Sequence, residues 1–222
     1  MGQRLSVAVG PADGGGRDEA YGDEATYAGA SVVKAGILAA LLLGAQDAGR
    51  ELGGAERELA EPMIVRSDND AASVLWARIG GARGFDAACA RLGLRATAGG
   101  ADGFWGLTRT TAGDQLALLR AVFGPGGTVL EARSRAYAQE LMGRVVAGQD
   151  WGVSAAGFPY ALKNGWMPRS GTGLWVVHSV GRVRTPGGRE LLLAILSDGH
   201  PTLADGIAAV EAAARRSAGG SV

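Results

Sequence analysis

The chain of 222 residues has one cysteine, Cys89, which excludes an internal disulfide and with it any disulfide-stapled scaffold. Ala87, Ala88 and Ala90 flank it, a setting that suits a small buried residue. The two histidines, His178 and His200, lack the spacing of metal ligands, so no metal site and no cofactor is expected. Net charge is missing as well, because 22 Lys and Arg balance 22 Asp and Glu. Such a surface offers no electrostatic reason for a nucleic acid or an anionic membrane as partner. The longest apolar run, Ala35 to Ala45, falls short of the roughly 20 residues a membrane span needs, so it reads as a buried helix. Met1 to Gly10 has no basic segment, long apolar run or small-residue cleavage site of a secretory signal. The expectation is a cytoplasmic protein, or an exported one whose leader has been removed. Glycine is plentiful at 38 residues, but it is scattered, which excludes a collagen-like repeat.

What remains is a chain 47% hydrophobic, enough for one substantial core. Arg4 to Val9 alternates weakly and is expected to be a strand. Asp13 to Asp18 is a turn, and Ala25 to Gly29 is a second strand paired with the first as a hairpin. Ser31 to Ala48 is apolar nearly all round, the mark of a helix surrounded by protein, with Ser31 at its N-cap or first turn. Gly49 to Glu61 is polar and charged, and Ser67 to Asp70 reads as a cap or turn between helices. Gly80 to Gly106 reads as short helix and loop, Thr110 to Val122 and Glu131 to Val146 as helices. Three strands follow (Tyr160 to Met167, Leu174 to Arg184, Glu190 to Ser197), joined by Gly/Pro turns, before an amphipathic helix over Leu203 to Arg216. The order predicts an α+β fold: an antiparallel sheet from both chain termini flanked by helices, with an all-helical lobe inserted. A single domain over 1–222 is expected, with a sheet subdomain of residues 1–30 and 155–222 and a helical lobe of residues 31–154.

Three short stretches stand out: Ser31-Val-Val-Lys34, Ser67-Asp68-Asn69 and Lys163-Asn164-Gly165. Each alone has an ordinary reading as a helix start, a helix cap and a strand end. In this order and context the set resembles the serine β-lactamases and penicillin-binding proteins, whose signature is S-x-x-K, S-D-N and K-T-G. Thr110-Thr111 before a helix is similar to that superfamily's threonine pair. The chemistry follows from residue types. A serine hydroxyl is a poor nucleophile until a base takes its proton, and residues three apart share a helix face, so Lys34 can reach Ser31. Burial and a nearby cation, here Lys163, lower a lysine pKa until the neutral amine can accept. The resemblance further implies Ser67 as proton shuttle to the leaving group and Asn69 as the side chain bonding the substrate amide. It makes Lys163 the cation that supports the cluster and attracts a substrate carboxylate, and the N–H groups of Ser31 and Trp166 the oxyanion hole. Asp68 reads as structural.

Two departures bear on activity. Class A β-lactamases deacylate with a glutamate, yet between Glu61 and Glu131 there is none, and Asp102 is the only carboxylate in the glycine-rich stretch Ala96 to Leu107. Asn164 replaces the hydroxyl residue of the third motif, which places recognition of a penicillin-like acid in doubt while keeping Asn164 a substrate-binding candidate. Trp166 and Trp175 read equally as a pocket rim or as sheet packing, and His178 as a strand-face histidine outside the motifs. The expected protein is an acyl-enzyme on Ser31 acting on a small-molecule or peptide-like amide or ester. An intracellular transacylase or amide hydrolase leads over a D-alanyl-D-alanine-type peptidase, a weak β-lactamase and a non-catalytic β-lactam sensor.

Overall fold

The structure, a computed structural model, describes residues 2–23, 25–125 and 129–219. In chain order the elements are β1 (Arg4–Pro11), β2 (Glu19–Gly22), β3 (Tyr27–Ala28), α1 (Val33–Asp47), α2 (Gly54–Val65), α3 (Asn69–Arg78) and α4 (Gly81–Leu92). Then come β4 (Arg109–Thr110), α5 (Ala112–Phe123), α6 (Ala132–Met142), β5 (Tyr160–Pro168), β6 (Trp175–Arg184), β7 (Glu190–His200) and α7 (Leu203–Gly219). The large sheet is antiparallel throughout, in the order β2-β1-β7-β6-β5. It is the expected α+β fold, a sheet drawn from both chain ends with helices on its faces.

β7 shows why. Its sequence, ELLLAILSDGH, is apolar on both faces rather than at alternate positions, as a strand covered on two sides must be. Leu191, Leu193 and Ile195 turn to a cluster with Val7, Val9, Val177 and, from α7, Val210 and Ala214. Leu192, Ala194 and Leu196 turn the other way, into the main core with the helices. Fully burying each such side chain contributes about 1.5–3 kcal/mol. α1 lies in that main core. By composition Ala30–Asp47 is apolar enough to cross a membrane, but 78% of the segment is buried inside the fold, with α2, α3, α4 and α6 around it.

Two expectations fail, and one stretch read only as polar and charged proves to be helical. The strand that pairs with β1 is Glu19–Gly22, not Ala25–Gly29. Tyr27 and Ala28 pair instead with Thr110 and Arg109 in a separate two-stranded sheet, so the inserted segment is not wholly helical. The polar stretch after Gly49 is mostly helix: α2 begins at Gly54. Its buried Glu56 accepts the Gly53 N–H at 2.8 Å and pairs with Arg50 and Arg78, so the charges of this stretch anchor a helix start.

Candidate active site

Ser31 lies in a 3₁₀ turn, Ala30–Val32, immediately before α1. Neither this turn nor α1 has a side-chain cap, so the Ser31 hydroxyl is not the helix cap that its position suggests. Among the described residues, no hydrogen bond uses it. Ala30 just before it is left-handed, with φ of 45°. Ser67, at φ 57°, and Asp102, at φ 53°, are the other non-glycine residues so placed among those described. Each conformation costs on the order of 1–2 kcal/mol, and such strain gathers where a side chain must be aimed.

Ser67 follows the end of α2, where the Pro62 carbonyl accepts both the Arg66 and Asp68 N–H groups. Asp68 is the N-cap of α3, its carboxylate taking the Ala71 N–H at 2.8 Å. That leaves the residues on either side of it free to face Lys34. The Lys34 ammonium, with no exposed surface, donates to Ser67 O at 2.6 Å, Asn69 Oδ1 at 2.7 Å and Ser67 Oγ at 3.0 Å. Lys163 Nζ donates to the same Ser67 Oγ at 3.0 Å and to the Asn164 carbonyl at 2.9 Å. Three separated stretches of chain thus converge on the Ser67 hydroxyl. The direct bond expected between Lys34 and Ser31 is not present, because the three N–H groups of the ammonium already have three acceptors. Burial pulls Lys34 down to about 8, against a smaller opposing effect of Asp68. Burial, reinforced by the charge of Lys34, holds Lys163 well below an ordinary lysine.

The strand β5 is the free edge of the sheet, with β6 on its other side. The Arg184 N–H bonds the Pro159 carbonyl, which fixes the alternation of the ladder: odd positions of β5 pair with β6 and even ones point to the open edge. The backbone N–H of Trp166 therefore faces outward, toward the turn that carries Ser31. Between them lies Gly165. A Cβ on it would stand 2.8 Å from Ser31 N and 2.7 Å from Val32 N, so only glycine lets the strand come this close. The nitrogen of Ser31 and the outward N–H of Trp166 thereby lie on the same side of the strand edge, on either side of Gly165.

Asn164 does not join this cluster with its side chain. It is almost fully buried, and its amide nitrogen donates to the carbonyls of Gln149 and Trp151 at 2.9 and 2.8 Å. Its side chain holds the segment before β5 instead of facing a ligand. Trp166 is half-buried and meets Trp151 edge-on, ring centroids 5.9 Å apart. Trp175 starts β6 and packs on the cluster under α7, so it belongs to the sheet. His178 is buried. It accepts the Ser197 N–H on Nδ1 at 3.0 Å, so Nε2 carries the proton that it donates to the Ala28 carbonyl at 2.9 Å. The histidine thus ties the segment leading to Ser31 to the central sheet.

One neighbour of the cluster escaped the sequence reading. The indole of Trp105, in the stretch Ala96 to Leu107, covers Lys34 Nζ with its centroid 4.8 Å away and bonds Ser73 Oγ at 3.1 Å. Only the scarcity of tryptophan in a glycine-rich loop hinted at it. Asp102 is exposed on the same loop. Among the described residues, no carboxylate bonds Ser31, Ser67 or either lysine, and no group of three His, Cys, Asp or Glu side chains converges to hold a metal. Cys89 is buried with its thiol pushed up to about 12, which leaves it inert.

Comparison with known proteins accords with this architecture. The structure of PBP-A superposes with a TM-score of 0.80 at 21% identity, over 96% of this chain and 88% of that one. A class A β-lactamase from Bacteroides cellulosilyticus DSM 14838 gives 0.81 at 17%, over 98% and 91%. An ancestral class A β-lactamase gives 0.75 at 23%, over 96% and 93%. No curated protein sequence matches the chain. Residues 55–218 match the family described as the beta-lactamase enzyme family, a stretch that contains Ser67–Asn69 and Lys163–Gly165 and begins after Lys34. On that match and this fold, the chain belongs to the beta-lactamase enzyme family and is a serine hydrolase.

Proposed function

We propose that Ser31 is acylated by an amide or ester substrate and that the acyl group passes to water or an amine, as in a transacylase or amide hydrolase rather than an efficient β-lactamase. The observation that carries this reading is the bonded chain Lys34–Ser67–Lys163, with Ser31 one turn before Lys34 and its hydroxyl in no hydrogen bond among the described residues. With a pKa of about 8, roughly a tenth of Lys34 is neutral at pH 7. Losing its proton removes one of the three N–H donors and leaves a lone pair that takes the Ser31 proton as Oγ attacks the carbonyl. The negative oxygen so formed rests on the N–H groups of Ser31 and Trp166. The proton now on Lys34 passes to Ser67, 3.0 Å away, whose own hydroxyl proton goes to the departing amine or alcohol. The leaving group departs, and Ser31 holds the acyl group.

Release is the slow half. The stretch Ala96 to Leu107 holds no glutamate of the kind class A β-lactamases aim at water, and the indole of Trp105 covers Lys34. An acyl-enzyme slow to meet water persists long enough for an amine acceptor. A point mutant of PBP-A has been captured as an acyl-enzyme complex with penicillin G, which supports the same chemistry on this fold. The test is intact-protein mass spectrometry after exposure to penicillin G or an activated ester. A persistent adduct on Ser31, lost on adding amines and absent in Ser31→Ala, is the expected result. A persistent adduct that amines leave in place favours a sensor, and full activity in Ser31→Ala refutes the acyl-enzyme.

A further inference from the structure

Beyond Trp166 the free edge of β5 opens into a groove of about 770 Å³. Among the described residues, its walls hold three arginines, Arg4, Arg109 and Arg169, and no aspartate or glutamate. In a chain whose charges balance, this is a local excess of one sign. Arg4 is neutralised by Asp198 and stacks over the Tyr27 ring. Arg109 is held by the Thr26 hydroxyl alone, and among the described residues neither it nor Arg169 lies within ion-pair distance of a carboxylate. Both are fixed to the site by backbone. Arg109 pairs across β4 with Ala28, three residues before the nucleophile, and Arg169 stands three residues past Trp166 at the end of β5. Leu107 and Met167 add apolar surface to the lining of the groove.

The direction of the strand tells which half of a substrate reaches this groove. Ser67, the donor to the leaving group, is bonded to Lys163, on the N-terminal side of Trp166. The leaving group therefore departs toward Lys163, and the acyl half extends the other way, toward Arg169. At a rise of about 3.3 Å per residue, the three residues from Trp166 to Arg169 span about 10 Å. We infer that the acyl half of the substrate bears a carboxylate, about two to three amino-acid lengths from the reacting carbonyl, that docks between Arg109 and Arg169. This rests on Ser31 as the nucleophile. Guanidinium groups suit the task because their planar forks take a carboxylate with two hydrogen bonds.

The test uses two thioesters that differ in one group: N-succinyl-glycyl, with a terminal carboxylate, and its neutral N-succinamoyl-glycyl analogue. The rate of adduct formation on Ser31 is read by mass spectrometry for each. The expected preference for the anionic donor is about tenfold, the joint effect of two solvent-exposed charge pairs. It should fall toward unity in the double variant Arg109→Gln/Arg169→Gln and at high salt. A second arm, chemical-shift titration of Ser31→Ala protein with N-succinyl-glycinamide and the neutral N-succinamoyl-glycinamide, reads the groove without catalysis. Tighter binding of the succinyl compound, abolished by the two glutamines, supports the inference. Equal rates or equal binding for the two compounds overturn it and leave the Ser31 assignment standing. If neither thioester modifies Ser31, the nucleophile assignment falls, and the titration alone decides the groove.

Discussion

Replacing Gly165 with alanine tests the closest approach in the site. The new methyl would stand 2.7 Å from Val32 N, 2.8 Å from Ser31 N and 3.1 Å from Gly29 O. A normal contact is about 3.5 Å, so the turn and the strand must part by about 0.7 to 0.8 Å. All three neighbours are backbone, which cannot rotate away as a flexible side chain can. The separation falls between the two N–H groups assigned to the oxyanion, and loss of one such donor costs about 10²–10³ in rate, or roughly 3–4 kcal/mol. The overpacking itself costs about 1–3 kcal/mol of stability, which a folded domain can absorb. Gly165→Ala should therefore melt somewhat lower but as one cooperative unit, and form the penicillin G or thioester adduct about 100-fold more slowly or worse. The assay is rapid mixing followed by intact-mass analysis, with the melting curve recorded on the same preparation. Gly44→Ala is the control: it lies on the exposed side of α1 with nothing near its added carbon and should leave the rate alone. A folded Gly165→Ala protein that acylates at the original rate refutes the placement of the oxyanion hole.

Acylation of the unaltered protein should rise with pH through about 8, as Lys34 loses its proton, and Trp105→Ala should move that rise to higher pH. Removing the indole lets water reach the ammonium and relieves the burial that lowers its pKa; a profile that stays in place shows that Trp105 does not shield Lys34. Stability should fall as pH drops from about 6.5 to about 4, because burial pulls His178 down to about 4 while the unfolded histidine binds a proton at its ordinary value. The contribution is present in full above about 6.5 and amounts to about 3 kcal/mol, at roughly 1.4 kcal/mol for each pH unit separating the folded and unfolded values. Denaturant titrations at neutral pH and near the folded-state value should show it, and His178→Gln should remove most of the difference; an unchanged slope refutes the assignment.

The features of the site that were legible in the sequence are those whose meaning is local. Asp68 reads as a helix cap from its local sequence and is one, whereas Lys34, one turn after Ser31, bonds Ser67 and Asn69 and not the serine. β7 reads as a strand from its sequence, and its unbroken apolar run fits the central place that it takes in the sheet. What stayed hidden depends on partners far away in the chain. Tyr27 and Ala28 are a strand only because Arg109 and Thr110 lie beside them, and two residues carry no periodicity. α2 hides because its first turn spends charges on capping and ion pairs while burying Met63, Ile64 and Val65 near its end. Asn164 looks like a ligand for substrate until the carbonyls of Gln149 and Trp151 are seen to take its amide. Trp105 reaches Lys34 from a loop whose course no local rule specifies.

That loop is pinned at its neck. Gly29 donates to the Thr108 carbonyl at 2.8 Å, Ala98 exchanges two hydrogen bonds of 2.9 Å with Arg109, and Thr97 is tied to Thr110 and Asp114. The nucleophile turn follows Gly29 directly, so the neck and the serine shift as one piece, while Ala101 to Leu107 projects beyond the staples. The tip also touches the nucleophile turn, through Trp105–Leu107, so an edit there is felt at the alcohol as well. Fitting this enzyme with a water-activating acid is therefore a matter of rebuilding the tip around Trp105 while keeping that contact and the staples.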